Sequence, residues 1–106
     1  MSGVPEVSIL ISVFEQLDYT RRCLDALERT LTGKVSYEVI VVDDASRDGV
    51  AEYLGDLNEP HRVLFNEERQ GFAINNNLAA REAQGEFLCF LNNDVFVEGD
   101  WFLPML

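Results

Sequence analysis

A chain of 106 residues, 47% of them hydrophobic, is long enough for one domain with a buried core and too apolar for a disordered segment. Its 19 acidic against 8 basic side chains give a formal net charge of −11, which disfavours nucleic acid and anionic membrane surfaces as partners. No apolar run approaches the roughly 20 residues that span a bilayer, and residues 1–5 lack the basic-then-apolar order of a signal peptide.

Val7-Ser8-Ile9-Leu10-Ile11 is rich in β-branched residues and predicts the first strand. Asp18 is a candidate N-cap for a helix over 19–31, where Cys23, Leu24, Leu27 and Leu31 recur at spacings of three and four on one face. Thr32-Gly33-Lys34 ends it. Glu38-Val39-Ile40-Val41-Val42 predicts a second strand, and its nearly unbroken apolar run fits a sheet covered on both faces. A polar loop over 43–49 leads to a short helix with Val50, Tyr53, Leu54 and Leu57 inward, broken by Asn58-Glu59-Pro60. The single histidine, His61, is expected to be exposed in the turn before the third strand, Arg62-Val63-Leu64-Phe65. Arg69, in the next loop, is expected to be a solvated charge, the alternative being a contact with a phosphate. Gly71 opens a third helix running to about residue 84, whose Ala73, Ala79, Ala80 and Ala83 permit close packing on a sheet. After Gly85, Glu86-Phe87-Leu88-Cys89-Phe90-Leu91 predicts the fourth strand, with Asn92-Asn93-Asp94 directly behind it. The distant cysteines Cys23 and Cys89 both fall in apolar patterns and are expected to be buried free thiols in a reducing compartment.

The order β-α-β-α-β-α-β with short connections predicts the α/β class: a Rossmann-like, three-layer α/β/α domain over 1–106 with a mostly parallel sheet and right-handed crossovers. In such sheets ligands bind beyond the carboxyl ends of the strands. Three polar clusters fall there: residues 12–15, 43–49 and 92–94. Asp43 and Asp44 point to opposite sides because strand side chains alternate. One carboxylate can therefore face a ligand, accepting from a base imide N–H or a ribose hydroxyl, while the other caps the following turn; both Asp43 and Asp44 are kept as candidate contacts of a donor nucleotide. Asp94, flanked by amide side chains, suits a hard divalent cation, magnesium or manganese, which keeps substrate phosphates in its shell. Such a cation would let an acidic domain hold a diphosphate.

The run from Val7 through Phe14, Val41-Val42-Asp43-Asp44-Ala45-Ser46 with Asp48-Gly49, and Gly85-Glu86-Phe87 through Leu91-Asn92-Asn93-Asp94 resemble the family 2 glycosyltransferases of the GT-A fold. Asn66, Gly71-Phe72-Ala73, Asn76-Asn77 and Gly99-Asp100-Trp101-Phe102 match in the same order. The resemblance implies a transferase that moves a sugar from a nucleotide-diphosphate donor to a hydroxyl of a glycan or lipid-linked acceptor, typically with inversion, in polysaccharide or cell-surface glycan synthesis. It implies that Ser12, Phe14 and Asp44 hold the base, that Asn93 and Asp94 hold the ribose and the metal–diphosphate, and that Asp94 is the metal ligand. It also implies that the general base lies beyond Leu106, so that 1–106 is the donor-binding part of a longer, cytoplasmic protein, at the inner face of the membrane. The apolar stretch from Phe96 to Leu106 is expected to favour self-association of the shortened chain. The chain departs from the family where Phe14-Glu15 replaces Tyr-Asn, where Ala79 replaces Gly, and where Asn93 replaces an acidic residue. Glu15 therefore takes no ligand role by resemblance.

Other readings are a nucleotidyltransferase-like enzyme, a phosphoacceptor signalling domain and a non-catalytic nucleotide-binding or assembly module. The first wants a Gly-rich basic loop after strand one, and Phe14-Glu15-Gln16 is not one. The second wants an Asp pair after the first strand, and that pair is missing there.

Overall fold

The β-branched runs form four strands, which the computed structural model, describing residues 4–47 and 49–92, joins into a single sheet. The strands are β1 (Val7–Val13), β2 (Tyr37–Asp43), β3 (His61–Phe65) and β4 (Phe87–Asn92), in the spatial order β3-β2-β1-β4. All three pairings are parallel. The helices α1 (Leu17–Leu31), α2 (Val50–Gly55) and α3 (Phe72–Glu82) alternate with them.

Alternation along the strands divides the core in two. Ile9, Ile11 and Val13 of β1 and Val39 and Val41 of β2 pack with Cys23, Leu24, Leu27 and Leu31 of α1 and with Val50 and Leu54 of α2. Leu10, Ile40 and Val42 face the other way and pack with Ala79 of α3, with Ala80, Ala83 and Leu64 at the margin. Helices thus cover both faces, which gives the three layers expected of the sequence. Cys23 and Cys89 are buried free thiols, and burial raises the Cys89 thiol above its ordinary value.

Several local expectations are corrected. Ala73 is exposed, and the inward position one turn before Ala79 is taken by Asn75, which is fully buried. Gln16, not Asp18, precedes α1, and no side chain caps that end. Asp18 lies in the first turn and pairs with Arg22 at 3.1 Å, an exposed i,i+4 contact worth a few tenths of a kcal/mol, roughly 0.3. His61 belongs to β3 rather than to an exposed turn. Its Nδ1 lies 3.0 Å from the Asn58 carbonyl oxygen, and its Nε2 is buried without a partner among the described residues.

At the amino edge of the sheet a buried carboxylate fixes the far end of α3. Glu38 Oε2 accepts from Ser8 Oγ at 2.6 Å and from the Gln84 backbone N–H at 2.7 Å, and the Gly85 N–H donates to Ser8 Oγ at 2.8 Å. A Cβ on Gly85 would lie 2.7 Å from the Ser8 nitrogen and 2.8 Å from the Val7 carbonyl carbon, so only glycine permits this approach. The carboxyl edge carries strain instead. Glu15, Gln16 and Ala45 all have positive φ, at 56°, 61° and 62°. Non-glycine residues in that region cost about 1 kcal/mol or more each and cluster where a loop is shaped for function.

Candidate functional site

β2 and β4 end on polar residues, Asp43 and Asn92, and β1 carries Ser12 just before its last residue, so the sheet itself holds these three side chains at its carboxyl edge. Ser12 lies next to last in β1, in register with Val42 and Asn92, and Val13 is in register with Asp43. The loops beyond are laced together. The Asp44 N–H donates to the Val13 carbonyl at 2.7 Å and the Asn66 N–H to the Asp43 carbonyl at 2.9 Å. The Glu15 N–H donates to Ser46 Oγ at 2.7 Å, while Glu15 Oε1 accepts from the Arg47 N–H at 2.9 Å. Glu15, which carries no ligand role by resemblance, has a structural one: it ties the β1–α1 loop to the β2–α2 loop.

The two adjacent aspartates do different things. Asp43 is buried, and its Oδ1 accepts from the Ser46 N–H at 3.1 Å, closing an Asx-type turn. Asp44 is buried too, and it anchors the segment that enters α3. Its Oδ1 accepts from Gln70 N–H at 2.7 Å and Asn66 Nδ2 at 3.1 Å, and its Oδ2 accepts from Gly71 N–H at 3.1 Å. Burial alone raises the Asp44 carboxyl, but donors from Gln70, Asn66, Gly71 and Asn75 outweigh it. The group lies below the ordinary carboxylate value and is ionised at neutral pH.

Arg69 completes the arrangement. Its Nε lies 3.6 Å from Asp44 Oδ2, and its guanidinium carbon lies 3.6 Å from the centroid of the Phe14 ring. The side chain of Arg69 is 59% exposed and that of Asp44 3%, so the arginine is the loose partner of a fixed carboxylate. A flat, π-bearing, N–H-donating group therefore already lies on Phe14 and beside Asp44. Those are the attributes of a nucleobase.

A chain of amides leads from Asp44 to Ser12. Asn66 Nδ2 donates to Asp44 Oδ1 and, at 2.8 Å, to Asn75 Oδ1, and Asn75 Nδ2 donates to Ser12 Oγ at 2.9 Å. Ser12, Phe14 and Asp44 are thus brought into one neighbourhood, while Asp43 uses its Oδ1 to close its own turn. Asn93 and Asp94 lie outside the described residues, as do Trp101, Phe102 and the apolar stretch from Phe96 onward. Asn92, directly before Asn93, ends β4 beside Ser12. Among the described residues no group of three metal-ligating side chains forms.

Sequence reasoning placed Arg69 as an exposed loop charge, which it is, but missed its contacts with Phe14 and Asp44, because those partners come from distant loops; it also missed Asn75. Asn75 had a signal: it stands four residues before Ala79, on the helix face that meets the sheet.

The sequence model of Glycosyl transferase family 2 matches residues 8–106. The chain is 30% identical over 103 residues to Glycosyltransferase AglE of Haloferax volcanii, covering 94% of this chain and 34% of that protein. Among solved structures, the mannosyltransferase PcManGT from Pyrobaculum calidifontis, in complex with GDP-Man and Mn2+, matches with a TM-score of 0.76 at 27% identity, over 96% of this chain and 31% of that one. TarS 1-349 of S. aureus in complex with UDP shares the fold, with a TM-score of 0.82 at 23% identity, over 94% of this chain and 30% of that one. The chain thus spans about a third of the length of these proteins.

Proposed function

This chain belongs to glycosyl transferase family 2, and from that premise we propose that it binds the nucleoside diphosphate of a sugar donor at the carboxyl edge of its sheet, within a protein that transfers the sugar to a hydroxyl acceptor. One observation carries the reading: Arg69 stacks on Phe14 and pairs with Asp44 in the way a base would. In the complex the base takes that place. Its ring lies on Phe14, an imide N–H meets Asp44 Oδ2, and Ser12 hydrogen-bonds its edge. Asp44 keeps its tight backbone donors from Gln70 and Gly71, so the carboxylate is positioned before the ligand arrives and gives up only the loose Arg69 contact.

Asn93 and Asp94, directly after the residue that ends β4, are the proposed ribose and metal–diphosphate contacts. A divalent cation held by Asp94, magnesium or manganese, would neutralise the charge on the leaving diphosphate. The Mn2+ in the PcManGT complex supports this reading, as the GDP-Man and UDP complexes of the neighbours support nucleotide binding. The acceptor, a glycan or lipid-linked hydroxyl, and an inverting displacement with its general base lie in the remaining length typical of the relatives. An orphan binding module has the same donor site and no turnover.

The test is amide mapping by NMR while UDP or GDP is added with Mg2+. Shifts centred on Ser12, Phe14, Gln70 and Gly71 are expected. Shifts confined to the opposite edge, around the cavity lined by Tyr37, Glu38, Arg62 and Gln84, would refute the placement.

A further inference from the structure

We infer that Asn75 is a positioning residue that turns the Ser12 hydroxyl into a hydrogen-bond donor aimed at the ligand. The inference rests on the reading of the carboxyl edge as a base site, and it follows from the polarity of the amide chain. An ionised carboxylate only accepts. Asn66 must therefore present its amide nitrogen to Asp44 Oδ1, at 3.1 Å. The same nitrogen has a second N–H, directed at Asn75 Oδ1 at 2.8 Å. That contact fixes the orientation of the Asn75 amide, with its carbonyl toward Asn66 and its nitrogen toward Ser12 Oγ at 2.9 Å. Ser12 Oγ is thus an acceptor within the protein, and its own hydrogen has no acceptor among the described residues. Ser12 is half-buried, whereas Asn75 is fully buried, so the hydrogen is free to meet a ligand.

This polarity selects among bases. A hydroxyl that donates pairs with the keto oxygen beside the imide N–H, O4 of uracil or O6 of guanine, and not with the exocyclic amino group that cytosine and adenine carry at that position. A free serine rotor could serve either; with one Oγ lone pair taken by Asn75 Nδ2, the hydroxyl is biased toward donating. With leucine or alanine at position 75, both Ser12 Oγ lone pairs would be open to a ligand donor.

The experiment is a double-mutant cycle on selectivity, read by calorimetry of the chain with UDP, CDP, GDP and ADP in the presence of Mn2+. Ser12→Ala is expected to weaken UDP and GDP by roughly fivefold, the scale of one neutral hydrogen bond, and to leave CDP and ADP little changed. Asn75→Ala is expected to lower the keto-to-amino preference in the wild-type background and to have no effect on it in the Ser12→Ala background. A merely structural role would weaken all four nucleotides alike and independently of Ser12, and that result overturns the inference. Should Asn75→Ala not fold, Ser12→Ala still decides the direction of the hydroxyl, because a loss confined to CDP and ADP also overturns it. Failure of the wild type to bind any of the four removes the base site itself.

Discussion

The Arg69 guanidinium lies 3.6 Å from the centre of the Phe14 ring and 3.6 Å from the Asp44 carboxylate, joining the loop after β3 to the loop after β1. It follows that the aromatic face is a platform open to a planar group. If a base stacks there, Phe14→Ala should weaken binding of nucleoside diphosphates by about 1–3 kcal/mol, the usual worth of one base–aromatic stack. Calorimetry with UDP and GDP measures it, and an unchanged affinity would remove Phe14 from the site.

The same geometry makes Arg69 a competitor of the base. Arg69→Ala should strengthen binding of the uncharged nucleosides uridine or guanosine by up to about tenfold, since an exposed ion pair and one cation–π contact no longer have to be displaced. Nucleosides isolate this effect from any attraction between Arg69 and phosphate. Weaker nucleoside binding by the variant would show that Arg69 supports the base instead.

Asp44 should also stabilise the fold in a pH-dependent way. Its folded carboxyl lies below the ordinary value of 3.8. Its stabilisation is therefore fully present above that value and is lost as pH falls through the lower folded value. Asp44→Asn should cost about 2 kcal/mol or more at neutral pH, because buried backbone donors at Gln70 and Gly71 lose a charged acceptor. Denaturant unfolding at pH 7 and near pH 3 should show the gap between wild type and variant shrinking in acid. A gap independent of pH would contradict the assignment of Asp44 as the ionised anchor.

At the other edge, Gly85→Ala forces a Cβ to 2.7 Å from the Ser8 nitrogen. Backbone sits on both sides of that contact, so no side chain can yield. The expected loss is about 1–3 kcal/mol, in the range of an overpacked core, seen as a lower denaturation midpoint with an unchanged slope. A midpoint equal to that of the wild type would mean that the α3–β4 turn is free to shift.

The strands, the helices and the three layers were legible because apolar periodicity is a local property. Val39-Ile40-Val41-Val42 could only be a strand buried on both sides, and Leu24, Leu27 and Leu31 could only share one face of a helix. The clustering of Ser12, Phe14 and Asp44 followed from the rule that strand ends meet. The capping of α1 was misread because Asp18 has good cap chemistry, whereas the helix starts earlier, from left-handed residues at Glu15 and Gln16 held by Ser46 and Arg47 of another loop. Asn75 was overlooked despite its spacing from Ala79. An asparagine among three in a row reads as a solvated face, and its burial depends on Asn66 and Ser12, which only the fold brings near. What remained illegible is what depends on partners distant in sequence.

The account stands or falls on metal-assisted binding of a nucleoside diphosphate. Calorimetric titration of UDP and GDP into the chain, with and without Mn2+, for the wild type and for Asp94→Ala, tests it most directly. The account predicts that at least one nucleotide binds, that Mn2+ tightens it, and that Asp94→Ala abolishes the Mn2+ dependence while residual metal-free binding persists through Ser12, Phe14 and Asp44. An affinity with Mn2+ that is the same in the variant as in the wild type would contradict it, as would a wild type that binds neither nucleotide.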